Sequence, residues 1–164
     1  MTQRTASCIC GQLTASVTGE PLRVSVCHCL NCKRRSGSAF AVQARFPADQ
    51  VAMAGEARTF QLTGDSGGTA TFSFCPSCGV TVAYVNGGYP ELEGFIAIPV
   101  GAFAEVDFPA PGVEVYRERK CPWVEVTGDV ERWTLGSSFC GKDRQKKSVC
   151  VPAFLDALHP RWCA

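Results

Sequence analysis

Histidine and methionine are scarce, at two residues each in a chain of 164. With only His28 and His159 to draw on, no serine–histidine–acid set for acyl transfer is supported. The sequence has no Walker loop and no G-x-G-x-x-G stretch, and its carboxylates are scattered without an evident pair for glycoside chemistry. Neither sign of charge is in excess: 16 Lys and Arg face 15 Asp and Glu, for a formal net charge of +1. That balance excludes bulk electrostatic attraction to polyanions, so nucleic acid is not an expected partner. No apolar run reaches the roughly 18 residues of a membrane-spanning helix, so no membrane is expected either. The opening MTQRTASCIC lacks the apolar stretch of about 7–15 residues that marks a secretory signal. With 46% apolar and 19% charged residues the chain has the composition of a globular protein and the length of one domain, perhaps with an appendage.

Cysteine is what the sequence has in excess, with 11 residues. Such density serves either a disulfide framework or thiolate metal sites. The absence of a secretory signal, the chain length and the odd count argue against a framework. Spacing argues for metal. Seven of the 11 cysteines fall in three tight clusters: Cys8-Ile9-Cys10, Cys27-His28-Cys29-Leu30-Asn31-Cys32 and Cys75-Pro76-Ser77-Cys78. Neighbours this close chelate one cation far more readily than they bridge each other. A reducing, cytoplasmic compartment is the expectation that follows.

Short runs of β type, punctuated by glycine and proline, dominate the chain. They are Leu13 to Val17, Leu22 to Val26, Ala39 to Phe46, Val51 to Ala54, Thr59 to Leu62, Thr69 to Phe74, Val80 to Val85 and Phe95 to Val100. No window of about 11–18 residues ahead of residue 135 has a convincing helical period. The expected class is mainly β, organised as a core domain over residues 1–135 and a C-terminal extension over 136–164. The extension holds a basic run, Lys142 to Lys147, a short apolar stretch, Val149 to Leu158, and three widely spaced cysteines, Cys140, Cys150 and Cys163. With His159 those cysteines match no common metal motif. Cys121 has no assigned role beyond its place beside Pro122-Trp123, and no sequence signal sets an oligomeric state.

The clusters differ in the chemistry they can support. In an extended strand residues i and i+2 share a face, so Cys8 and Cys10 can present two thiolates together. Cys75-Pro76-Ser77-Cys78-Gly79 has the form of a knuckle, with proline presetting the turn and glycine relieving it. Together these two half-sites supply four thiolates, a saturated tetrahedral set suited to a structural zinc. Cys27, Cys29 and Cys32 supply three thiolates and leave a fourth position for an exchangeable ligand, the pattern of a catalytic zinc. Three thiolates make that zinc a weak electrophile, better suited to holding a substrate sulfur as thiolate. His28 lies on the opposite strand face, where a hydrogen-bonding role is expected ahead of ligation. Lys33-Arg34-Arg35 follow at once, and an arginine can clamp a carboxylate with two parallel hydrogen bonds.

The order CxCG, then CHCxxCxRxxGSxF with Arg34 as its arginine, then FCPxCG, resembles the glutathione-dependent formaldehyde-activating enzymes, a family that includes the centromere protein V relatives. Pro122-Trp123, after Glu114-Val115-Tyr116, looks like the family's late proline–tryptophan segment, so the resemblance runs from about Cys8 to Trp133. It implies a β-tent of small antiparallel sheets around a structural four-cysteine zinc site at Cys8, Cys10, Cys75 and Cys78. It implies a second, catalytic zinc at Cys27, Cys29 and Cys32, hence two Zn²⁺ per chain. The implied activity is that of a carbon–sulfur lyase, joining a small-molecule thiol such as glutathione to an aldehyde, formaldehyde, or reversing that addition. Arg34 and Arg35 are the expected substrate-binding residues. One departure stands out. The family often carries an arginine three residues before the third cysteine cluster, and here that position is Phe72. A non-catalytic zinc-binding interaction module is the competing reading.

Overall fold

A computed structural model describes residues 2–63 and 68–134. The basic run, the apolar stretch and the three cysteines of the extension lie outside these residues. Eleven strands and one short α-helix are described: β1 (Gln3–Ser7), β2 (Thr14–Thr18), β3 (Arg23–Cys27), α1 (Leu30–Ser36), β4 (Ala41–Pro47), β5 (Val51–Ala54), β6 (Arg58–Thr63), β7 (Thr69–Phe74), β8 (Thr81–Gly87), β9 (Phe95–Pro99), β10 (Val113–Val115) and β11 (Glu131–Arg132). The mainly β class holds, and the predicted strands recur at almost the same bounds.

Two sheets form. β1, β2 and β5 make a three-stranded antiparallel sheet. The other eight strands make one continuous layer in the order β11-β10-β3-β4-β9-β8-β7-β6, a larger sheet than the several small ones expected. It is antiparallel except at one edge, where β10 runs parallel to both β3 and β11.

Alternation along the strands builds the core between the sheets. In β2, Ala15 and Val17 are buried while Thr18 is exposed. These residues and Ala6 pack with Leu13, and against Ala44 and Phe46 of β4, Val82 of β8 and Ile98 of β9. Each large side chain so buried contributes about 1.5–3 kcal/mol of hydrophobic stabilisation. Cys8 and Cys75 belong to the same buried cluster, so one cysteine group is part of the core. A register shift between Ser73 and Phe74 on β7 bends the strand just before Cys75.

The second cysteine group sits at the far end of the large sheet's parallel edge. β3 carries Cys27 as its last residue, paired with Val115 of β10 on one side and Ala41 of β4 on the other. The chain then turns into α1, a helix of seven residues. Seven residues are too few to register as a helical period, which is why the sequence did not betray it.

Candidate metal centres and an adjoining cleft

The Cys8–Cys10 turn and the Cys75–Cys78 knuckle meet across the core. Their four sulfurs lie within 4.8 Å of one another. Cys8 Sγ is 3.5 Å from Cys10 Sγ, and Cys10 Sγ is 3.6 Å from Cys75 Sγ. Each half-site is closed by its own backbone: Gly11 N–H donates to the Cys8 carbonyl at 2.9 Å, and Gly79 N–H to the Cys75 carbonyl at 2.9 Å. Both glycines have positive φ, 78° and 74°, a conformation that costs any other L-residue about 1–2 kcal/mol. Donors converge on the sulfurs. Leu13 N–H reaches Cys8 Sγ at 3.3 Å and Gln12 Nε2 reaches Cys75 Sγ at 3.0 Å. Burial pushes the Cys75 thiol up, but Gln12 and the backbone donors of the knuckle outweigh it and hold the group at about 6, poised as thiolate. Hydrogen bonds from the Cys10 and Val80 backbone likewise lower Cys78.

The second group is built by the end of β3 and the start of α1. Cys27 ends β3, Cys29 is the N-cap of α1, and Cys32 lies in the helix's first turn. Cys29 Sγ accepts the Cys32 N–H at 3.4 Å, the role a serine or aspartate oxygen fills at ordinary helix starts. The three sulfurs lie within 4.8 Å of one another, and no fourth His, Cys, Asp or Glu joins them among the described residues. None of the eight described cysteines is in a disulfide. The Cys27 thiol is pushed far up by its neighbours Cys29 and Cys32 and by burial. Cys32 rises to about 11: its contact with Cys27 lowers it, Cys29 and burial raise it further, and the Arg35 guanidinium pulls against them. Three crowded thiols, two of them buried, are a donor set suited to a soft cation, which would hold all three as thiolates.

His28 turns away from this group. It is fully buried, with Nε2 2.9 Å from Glu114 Oε1 on β10 and its backbone N–H donating to the Val115 carbonyl at 3.1 Å. Glu114 is itself 1% exposed, and its other oxygen faces Arg117 Nε at 3.2 Å and Arg132 Nε at 3.6 Å. Beyond it Tyr116, packed against the cysteine group, holds the left-handed conformation at φ 58°, a strained position for a non-glycine residue. A buried chain of contacts thus ties the cysteine loop to the parallel edge of the sheet.

The basic side chains of α1 part company. Lys33 Nζ donates to the Arg119 carbonyl at 2.6 Å and approaches Cys121 Sγ at 3.5 Å, which places Cys121 against the helix. Arg34 is exposed, and Arg35 is half-buried. The Arg35 guanidinium lies 5.7 Å from the ring centre of Phe72 and 5.2 Å from that of Tyr84, a double cation–π arrangement. Burial pushes the Tyr84 hydroxyl up to about 12. Arg34 and Arg35 both line a cleft of about 480 Å³, opposite Phe60, Leu62, Phe72 and Phe74 of β6 and β7.

The family model of the glutathione-dependent formaldehyde-activating enzyme matches residues 3–119. The chain belongs to that family. The match takes in both cysteine groups, α1 and the cleft. The family's members act on small thiol and aldehyde substrates. Among solved structures, a structural-genomics crystal structure of a Rhodobacter sphaeroides protein has a TM-score of 0.48 and 20% identity, covering 63% of this chain and 90% of that one. No curated protein matches the sequence significantly. No helix among the described residues is long and apolar enough to cross a membrane.

Sequence reasoning missed Glu114, which it read only as part of a strand. An acid between two valines reads as a half-buried strand with the acid on its solvated face, so the sequence carried no signal of its burial. It also missed Phe60, Leu62, Phe74 and Tyr84, whose importance depends on which strands become neighbours.

Proposed function

We propose that this chain is a zinc-dependent carbon–sulfur lyase that joins a thiol, such as glutathione, to formaldehyde as S-hydroxymethylglutathione, or reverses that addition. Cys8, Cys10, Cys75 and Cys78 would hold a structural zinc, and Cys27, Cys29 and Cys32 a second, catalytic one. The observation that carries the reading is the three-sulfur group itself. It sits beside an open cleft, and the one imidazole among the described residues, His28, is committed to Glu114 at 2.9 Å. Zinc bound there supplies positive charge that favours the thiolate form of an incoming sulfur.

The protein's own residues do the rest. The His28–Glu114 contact fixes the loop between Cys27 and Cys29, so the three sulfurs keep their spacing without closing around a fourth protein ligand. Arg34 and Arg35 offer cations to a substrate carboxylate at the mouth of the site. In the addition, a bond forms from the substrate sulfur to the carbonyl carbon, and the thiol proton ends on the carbonyl oxygen. In the reverse direction that bond breaks and the hydroxyl proton returns to sulfur. The eight described cysteines, none of them in a disulfide, suit a cytoplasmic enzyme.

The test is a thiol-plus-aldehyde turnover panel on zinc-replete protein, with Cys29→Ser as control. Turnover that Cys29→Ser abolishes while the protein stays folded supports the reading. A folded protein with two tightly held zincs and no turnover on any pair favours the interaction module.

A further inference from the structure

The cleft beside the three-sulfur group has a lopsided chemistry. On one wall stand Arg34 and Arg35 of α1. On the other, Phe60 and Phe72 face each other across β6 and β7, and Leu62 and Phe74 lie two residues along on the same face. Phe60 remains 59% exposed, an unusual outlay of aromatic surface to leave in water. Among the described residues no carboxylate lines the cleft. The residue that stands where the family often has an arginine, Phe72, adds to the apolar wall and forms a platform for Arg35. Arg35 Nη2 is buried without a hydrogen-bond acceptor, and a buried donor of that kind is costly until an acceptor is supplied. Asn31, which lies between Cys29 and Cys32 at the start of α1, also lines the cleft, so the cleft borders the turn that carries two of the three sulfurs.

Resting on the proposed carbon–sulfur chemistry, we infer that the thiol substrate of this protein is a small anionic thiol with an aromatic or branched apolar body and no ammonium group. Its carboxylate pairs with Arg34 and Arg35, and its apolar body covers the Phe60–Phe72 face. Glutathione fits this cleft poorly. Its ammonium group finds no acidic partner there, and its peptide body leaves the phenylalanines exposed. Formaldehyde alone needs neither wall. The reaction is unchanged: the substrate sulfur bonds the carbonyl carbon, and its proton passes to the carbonyl oxygen.

Initial rates of formaldehyde consumption are measured on zinc-replete protein with four thiols: a phenyl-substituted mercaptopropanoate, glutathione, cysteamine and phenylethanethiol. The sulfur-free phenylpropanoate is titrated by calorimetry in parallel. The expected result is a kcat/KM at least about 10-fold higher for the phenyl mercaptopropanoate than for glutathione. Phe60→Ala raises its KM about 10-fold with kcat largely kept, the mark of lost uniform binding. Phenylpropanoate binds the wild-type protein and is weakened by Phe60→Ala and by Arg34→Ala. Glutathione turning over as well as or better than the aromatic acid overturns the inference and leaves the lyase reading intact. Saturable phenylpropanoate binding that needs Phe60, with no turnover on any thiol, supports the ligand class and overturns the lyase reading. Absence of both binding and preference overturns the inference.

Discussion

His28 Nε2 lies 2.9 Å from Glu114 Oε1, and neither side chain is more than 1% exposed. One residue sits between two cysteines of the three-sulfur group; the other sits on β10, the strand flanked by its two parallel neighbours β3 and β11, 86 positions later. Glu114 also takes up Arg117 and Arg132. A single carboxylate therefore couples the cysteine loop to the chain's later elements, and its removal leaves a buried imidazole nitrogen and the Arg117 Nε without that carboxylate, while Arg132 keeps the Val126 and Val130 carbonyls.

Glu114→Ala is expected to cost about 3–5 kcal/mol, the range for breaking a buried ionic contact from one side. Denaturant unfolding of zinc-replete protein measures it. Glu114→Gln keeps an acceptor for His28 and is expected to lose less. In both variants, chelator competition should show the three-sulfur group releasing its metal about 10-fold more readily, as loss of an outer hydrogen-bond partner does.

The four-sulfur group is part of the core, since Cys8 and Cys75 pack with Leu13, Phe46 and Ile98. Structural zinc contributes about 10 kcal/mol or more to folding in small domains. Cys78→Ser is accordingly expected to destroy cooperative unfolding and most soluble yield, whereas Cys29→Ser keeps a cooperative transition and loses one zinc. Circular dichroism and metal analysis on the two variants give the comparison. Equal collapse of both would show that the roles of the two groups are exchanged or shared.

At Gly79, φ is 74° and nothing lies within 4 Å of where a Cβ would stand. Gly79→Ala has no steric neighbour to displace, so its whole cost is backbone conformation. The expected loss is about 1–2 kcal/mol in unfolding free energy, with two zincs still bound. A larger loss, or loss of metal, would mean that the knuckle tolerates no change of chain path.

Arg35→Met keeps the length of the side chain and removes the guanidinium that lowers the Cys32 thiol and stacks on Phe72 and Tyr84. Turnover with a carboxylate-bearing thiol is expected to fall about 10-fold or more through KM, and turnover with phenylethanethiol far less. Equal losses on both thiols would assign Arg35 to holding the fold.

Much of this was legible because the signals were local. Cys-x-Cys and Cys-x-x-Cys spacings carry their geometry within a few residues, and a strand such as Thr69–Phe74 announces itself by a β-branched and aromatic run between turns. The helix α1 did not, because its seven residues open on a cysteine cap and bury no side chain of their own. The sheet's single eight-stranded layer and its parallel edge were hidden for another reason. Which strand lies beside β3 depends on contacts some 90 residues apart in sequence, here Ser25 with Val113. The same distance concealed Glu114 as the partner of His28, and the pairing of Phe60 with Phe72 as one wall of a cleft.

The central claim is a three-thiolate zinc with room for a substrate sulfur, next to a saturated four-thiolate one. Zinc-edge X-ray absorption on the two-zinc protein counts the sulfurs directly. Without added thiol the account predicts an average of about three and a half sulfurs per zinc, rising to about four when a turnover-competent thiol is added. An average that begins at four, or that stays unchanged on adding thiol, would contradict it.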